Sequence, residues 1–140
     1  MIVSTKGRYA LRVMIDLAEH PTDGFVPLQE IVDRVQISRE YLSNILKVLV
    51  QNRQLDSLRG KGGGYRLACP PEEIRIGPIL RMVEGDLAPV SCIQGVGQCP
   101  DASKCRSHVM WSELDGIIND YLDHVRLTDF MEGGRFFFEQ

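Results

Sequence analysis

Apolar residues recur along the first fifty positions at helical spacing. Leu11, Met14, Ile15 and Ala18 follow the three- and four-residue steps that place side chains on one helix face, and His20-Pro21 with Gly24 ends that run. Leu28, Ile31, Val32 and Val35 repeat the pattern over two turns and stop at Gln36-Ile37. Ser38 stands at the N-cap position of a third helix, whose stripe is Leu42, Ile45, Leu46, Leu49 and Val50. Two helices joined by so tight a turn make a helix-turn-helix. The period then changes. Residues 55–58 and 65–68 read as short strands joined by Arg59-Gly60-Lys61-Gly62-Gly63-Gly64, a slim hairpin flanked by cations, which is a wing.

Pro70-Pro71 break the second strand, and Ile74, Ile76, Ile79, Leu80 and Val83 predict a turn and a small helix ending near Gly85. Further on, Trp111, Leu114, Ile118, Tyr121 and Val125 keep a 3-4-3-4 rhythm, with Ile117 and Leu122 widening the stripe. A helix downstream of a small winged domain has few places to bury so wide a face, so the seam is expected to pair with a second copy of the chain. The predicted fold is therefore mostly α with a small β-wing. A winged helix-turn-helix DNA-binding domain spans 1–85, a cysteine-rich loop 86–108, a long C-terminal dimerisation helix 109–130 and a tail 131–140. The tail's Arg135-Phe136-Phe137-Phe138 run carries no interpretable period.

With 140 residues, 44% apolar and 25% charged, the chain suits one globular domain with an appendage. Charges interrupt every apolar window near the N-terminus, and no run approaches the roughly 18 apolar residues of a membrane span. A cytoplasmic protein with neither signal peptide nor membrane helix is expected. The net charge of −3 argues against nucleic acid, but its distribution argues for it. Residues 1–68 hold ten Lys/Arg against seven Asp/Glu, whereas residues 82–140 hold four against ten. Within 39–66 the count is six basic to two acidic, where the chain would meet phosphate.

The outward face of the third helix carries Arg39, Glu40, Ser43, Asn44 and Lys47, with Ser38 and Tyr41 at its start. Short polar groups beside basic ones match base edges in a major groove and the flanking phosphates, although a charged outer face can also be merely solvated. Arg59 and Lys61 on the glycine loop suit an adjacent minor groove. That loop is no nucleotide cradle, because it lacks the G-x4-G-K-[ST] order and leads into a strand instead of a helix. Double-stranded DNA is the expected partner. No catalytic constellation is found: His20 and His124 lack partner motifs, and Asp115, Asp120 and Asp123 suit a solvated helix face.

The densest chemistry lies between residues 91 and 108, where Cys92, Cys99, Cys105 and His108 are spaced C-x6-C-x5-C-x2-H. Gly95 and Gly97 allow the backbone to fold round a small guest, and Cys105 and His108 share a face of a helix start. Structural zinc sites pair their cysteines as short knuckles, so the wide gaps favour an iron–sulfur cluster over zinc. A disulfide or free thiols remain alternatives on spacing alone. Cys69 stands apart and reads as a strand-end residue.

The segments STKGRYALRVMIDLA, ISREYLSNILKVL, RGKGGGYRLA and PPEEI, followed by the C-x6-C-x5-C-x2-H loop and a long helix, resemble in order and spacing the IscR-type winged-helix transcriptional regulators. The likeness runs over about residues 1–130. It implies a homodimeric bacterial regulator that binds palindromic operator DNA and carries a [2Fe-2S] cluster on Cys92, Cys99, Cys105 and His108, with iron–sulfur assembly proteins as cluster donors. Relatives in the family sense nitric oxide or answer to cysteine metabolism. The first cysteine gap here is six residues where five is commoner. Arg8 occupies the segment from which nitric-oxide-sensing relatives recruit an acidic ligand.

Overall fold

Three apolar stripes converge in the first third of the chain, as α1 (Thr5–Glu19), α2 (Leu28–Val35) and α3 (Arg39–Gln51) of a computed structural model that describes residues 3–93 and 104–139. Ala10, Val13 and Met14, Ile31, and Leu42, Ile45, Leu46 and Leu49 are fully buried where the helices meet. Each large side chain so buried contributes about 1.5–3 kcal/mol. The turn between α2 and α3 is fixed at both ends. Gln36 closes α2 in the left-handed conformation (φ 58°), and Ser38 Oγ accepts the Tyr41 N–H at 3.1 Å to cap α3. Arg34 of α2 donates twice to the buried Asp16 carboxylate of α1, at 2.8 and 3.0 Å, which sets how the helix-turn-helix sits on α1.

The wing is an antiparallel pair, β1 (Leu55–Leu58) and β2 (Gly64–Leu67), in the register Leu55 to Leu67. Val26, ahead of α2, exchanges two 2.8 Å backbone hydrogen bonds with Tyr65 and so pins the wing's root to the α1–α2 connection. Gly64 (φ 150°) permits this approach, because a Cβ there would collide with the Val26 carbonyl. Leu55 anchors the hairpin in the core at 1% exposure.

A 3-10 turn (Pro71–Glu73) leads into α4 (Ile76–Glu84), which packs on α1 and α3 and ends at Gly85 (φ 84°). The last helix, α5 (Arg106–His124), begins and ends earlier than the predicted 109–130. Its early end has a plain cause. Ile76 N–H donates to Val125 O at 3.0 Å and Leu127 N–H to Ile74 O at 2.9 Å, so the chain leaves the helix to pair with the strand-like entry to α4. Val125 and Leu127 thereby enter the core, at 2% and 0% exposure. The aromatic tail follows: Phe136 lies on Phe130 with ring centres 5.1 Å apart, and the Arg135 guanidinium stacks over Phe136 and Tyr121.

None of the nineteen residues of α5 is buried. Its rotation is set by Arg81 of α4, which donates to Asn119 Oδ1 at 2.8 Å and pairs with Asp123, with Gly77 leaving room for that carboxylate. The opposite face exposes Met110, Leu114, Ile117 and Tyr121, all at 37% or more. No helix among the described residues is long and apolar enough to cross a membrane.

The start of α1 is capped from a distance. Ser4 makes no local side-chain cap; instead Glu84 Oε1, at the end of α4, accepts the Ser4 N–H (2.8 Å), the Ser4 hydroxyl (2.5 Å) and the Gly7 N–H (2.9 Å). Burial works to raise the Glu84 pKa, but these hydrogen bonds and nearby Lys6 outweigh it and hold the carboxyl below its ordinary value of 4.5. A group whose folded pKa is depressed stabilises the fold above its unfolded value and loses that contribution as pH falls. Glu84→Gln should therefore melt below the wild type at neutral pH, with the gap closing as pH drops through and below about 4.5. Thermal melts across that range check this; a gap that stays constant contradicts it.

Candidate nucleic-acid interface and cysteine site

The N-cap at Ser38 and the core leucines fix the face that α3 turns outward. Glu40, Asn44 and Lys47 lie exposed there, with side chains unpaired among the described residues. Arg39 is also exposed and is steadied by Gln29 of α2, whose Oε1 accepts from its guanidinium at 2.8 Å. Ser43 Oγ donates to the Arg39 carbonyl at 2.8 Å. The Tyr41 ring turns inward, half-buried and edge-on to Tyr9 at 5.9 Å. Ser38 and Tyr41 thus serve the fold first. Arg59 and Lys61 stand exposed on the wing.

Between α3 and the wing runs an open groove of about 510 Å³. Arg39, Lys47 and Arg59 line it along with the glycine backbone of the wing, and no carboxylate does. Three cations on a concave wall without a compensating anion raise the local potential where a phosphate chain could lie. Gln51 also lines the groove. It sits one turn beyond Lys47 on the same face, a spacing the sequence displays, whereas Gln29 as a brace for Arg39 has no local signal.

Of the four predicted ligands, Cys99 lies outside the described residues. Cys92 is half-buried in a 3-10 turn (Ser91–Ile93) that packs against α5. Cys105 is the N-cap residue of α5, with Sγ 3.1 Å from Ser107 Oγ. His108 follows in the first turn. Its Nδ1 is sealed from solvent and has no hydrogen-bond partner among the described residues, and its Nε2 lies 3.5 Å from Ser112 Oγ. Among the described residues no three His, Cys, Asp or Glu side chains form a ligand group. The donors present still suit a thiolate-rich metal centre, since a buried ring nitrogen without a protein partner is accounted for once a metal takes its lone pair. Cys69 differs: burial, with Glu73 and Asp56 adding, pushes its thiol up, away from the thiolate that a metal requires.

Of the predicted seam residues, Leu114 and Tyr121 are exposed, Trp111 and Ile118 are half-buried, and Val125 belongs to the chain's own core. The exposed apolar row of α5 is Met110, Leu114, Ile117 and Tyr121, a 4-3-4 spacing rotated from the one read in the sequence.

A winged helix-turn-helix with a cation-lined groove between recognition helix and wing defines a DNA-binding regulator. The chain belongs to the Rrf2 family, iron-dependent transcriptional regulators, which it matches over residues 3–133. It is 36% identical over 132 residues to the HTH-type transcriptional regulator IscR of Vibrio campbellii, covering 94% of this chain and 78% of that protein. Its fold is similar to CymR, the global cysteine regulator of B. subtilis (TM-score 0.76, 30% identity, 95% of this chain and 98% of that one). It is also similar to T. potens IscR (TM-score 0.73, 30% identity, 100% and 93%). The Vibrio relative is named as a transcriptional regulator and the B. subtilis one as a global cysteine regulator, which are names of a non-enzymatic class.

Proposed function

We propose that the chain acts as a homodimeric, cytoplasmic regulator that binds palindromic operator DNA and senses iron–sulfur or redox status through a [2Fe-2S] cluster on Cys92, Cys99, Cys105 and His108. The observation that carries the sensing part is the buried, unpartnered Nδ1 of His108 on the helix turn that begins at Cys105. The iron dependence in the family's description favours iron over zinc. When bound, the cluster supplies a redox-active centre. The protein's share is to hold it between the winged domain (1–85) and α5, where gain or loss of the cluster can reset the spacing of the two recognition helices. In the complex α3 enters a major groove with Arg39, Glu40, Ser43, Asn44 and Lys47, while Arg59 and Lys61 reach the adjacent minor groove. Two copies join through Met110, Leu114, Ile117 and Tyr121.

An anaerobic absorption spectrum with iron, sulfide and zinc analysis tests the cofactor. Brown protein with iron and sulfide in equal amounts is expected. Cys92→Ala, Cys99→Ala or Cys105→Ala should abolish the colour, and His108→Ala should keep the fold while holding the cluster poorly. Colourless protein with stoichiometric zinc contradicts this reading and points to a zinc-stabilised module. The likeness to CymR favours one second reading, a regulator of cysteine metabolism; protein with neither metal would support it.

A further inference from the structure

We propose that Ser112 is the positioning residue of the His108 ligand, and that His108 faces the cluster through Nδ1; this rests on the cluster reading above. The two ring nitrogens have different surroundings. Nδ1 is excluded from solvent and has no hydrogen-bond partner among the described residues, whereas Nε2 lies 3.5 Å from the hydroxyl of Ser112, one helical turn further along α5. A neutral imidazole carries one proton, and whichever nitrogen donates it leaves the other lone pair for a metal. Ser112 Oγ can accept the Nε2–H, which places the proton on Nε2 and presents Nδ1 as the donor atom. The other assignment is worse on both counts, because it ties the proton to a buried nitrogen that nothing accepts from and turns the ligating atom toward a hydroxyl. Position i+4 on the same helix also holds the imidazole plane, since the hydroxyl and the ring share one α-helical face. Ligating histidines commonly donate their second nitrogen to such a partner, and losing it typically costs about 10–100-fold in metal affinity.

The test uses full-length protein reconstituted anaerobically with iron and sulfide, comparing wild type with Ser112→Ala and Ser112→Thr. Pulsed electron paramagnetic resonance of the reduced wild type should show nitrogen coupling from a histidine ligand. Ser112→Ala should lose its cluster to a chelator on the order of tenfold faster and shift that coupling, with unchanged circular dichroism, and Ser112→Thr should restore both. In the apoprotein, nitrogen-15 NMR should find His108 protonated on Nε2 in the wild type and a mixture of tautomers in Ser112→Ala. A wild type that takes up no cluster, or whose spectrum lacks nitrogen coupling, overturns the ligand reading and this proposal with it. Nitrogen coupling in the wild type, with a Ser112→Ala variant identical in coupling, cluster loss and tautomer, overturns this proposal alone.

Discussion

Affinity for a duplex that the protein selects from a random pool should fall about 10³-fold or more between roughly 50 and 200 mM salt, as expected when a dimer neutralises about 6–10 phosphates. The cause is the groove between α3 and the wing, where Arg39, Lys47 and Arg59 face outward and no carboxylate offsets them. The net charge of −3 makes the point sharper: attraction to DNA here is local, and the acid-rich last third of the chain contributes nothing to it. Within that groove Arg59 rides on a glycine loop whose root is fastened to Val26, so the cation is carried on a hairpin fixed at its base. Arg59→Ala should weaken binding on the order of tenfold or more and lower the slope of affinity against salt by about two, because a dimer loses the contact in both copies. Fluorescence anisotropy across the salt series measures both; flat salt dependence, or an Arg59→Ala variant that binds as well as wild type, contradicts the groove as the DNA site.

Ile117→Asp should convert a dimer into folded monomers. Ile117 is 66% exposed in the protomer, so its own domain does not require it, yet it sits at the middle of the apolar row Met110, Leu114, Ile117 and Tyr121. An unpaired carboxylate buried in an interface costs on the order of 3–5 kcal/mol. A two-fold interface carries the substitution twice, and each 1.4 kcal/mol is about tenfold in dissociation constant. Val125→Asp provides the contrast. Val125 is 2% exposed inside the chain's own core, so this change should unfold the protein instead of separating two copies. Sedimentation and circular dichroism together distinguish the outcomes. A monomeric wild type at micromolar concentration, or a fully dimeric Ile117→Asp variant, contradicts the exposed row as the interface.

The contrast between Ile117 and Val125 also marks where the sequence was legible. Short-range chemistry came through: the Ser38 cap, the leucine stripe of α3, the glycine hairpin and the stop at Gly85 all depend on residues within a few positions of one another. The rotation of α5 did not, because it is imposed by Arg81 gripping Asn119 and Asp123 from about forty positions away, and by Val125 leaving the helix to pair with Ile76. Periodicity gives the width of an apolar stripe; only a packing partner says which edge of it faces inward. The same holds for the Glu84 cap on α1, eighty positions from Ser4. Within the candidate site, the proposed ligands are legible as a spacing, and the distinction between the two nitrogens of His108 is not, since it depends on which atoms the fold covers.

A cluster that acts as a regulatory ligand must change the protein's affinity for DNA, and one titration tests this most directly. Holo protein and a variant with Cys92, Cys99 and Cys105 all replaced by alanine are titrated anaerobically against a panel of operators selected by each form. A coupling between two sites is usually about 1–3 kcal/mol, so the two forms should differ by roughly 5- to 150-fold in affinity for at least one operator. Equal affinity of both forms for every operator would contradict a regulatory role for the cluster, even if the wild type is brown.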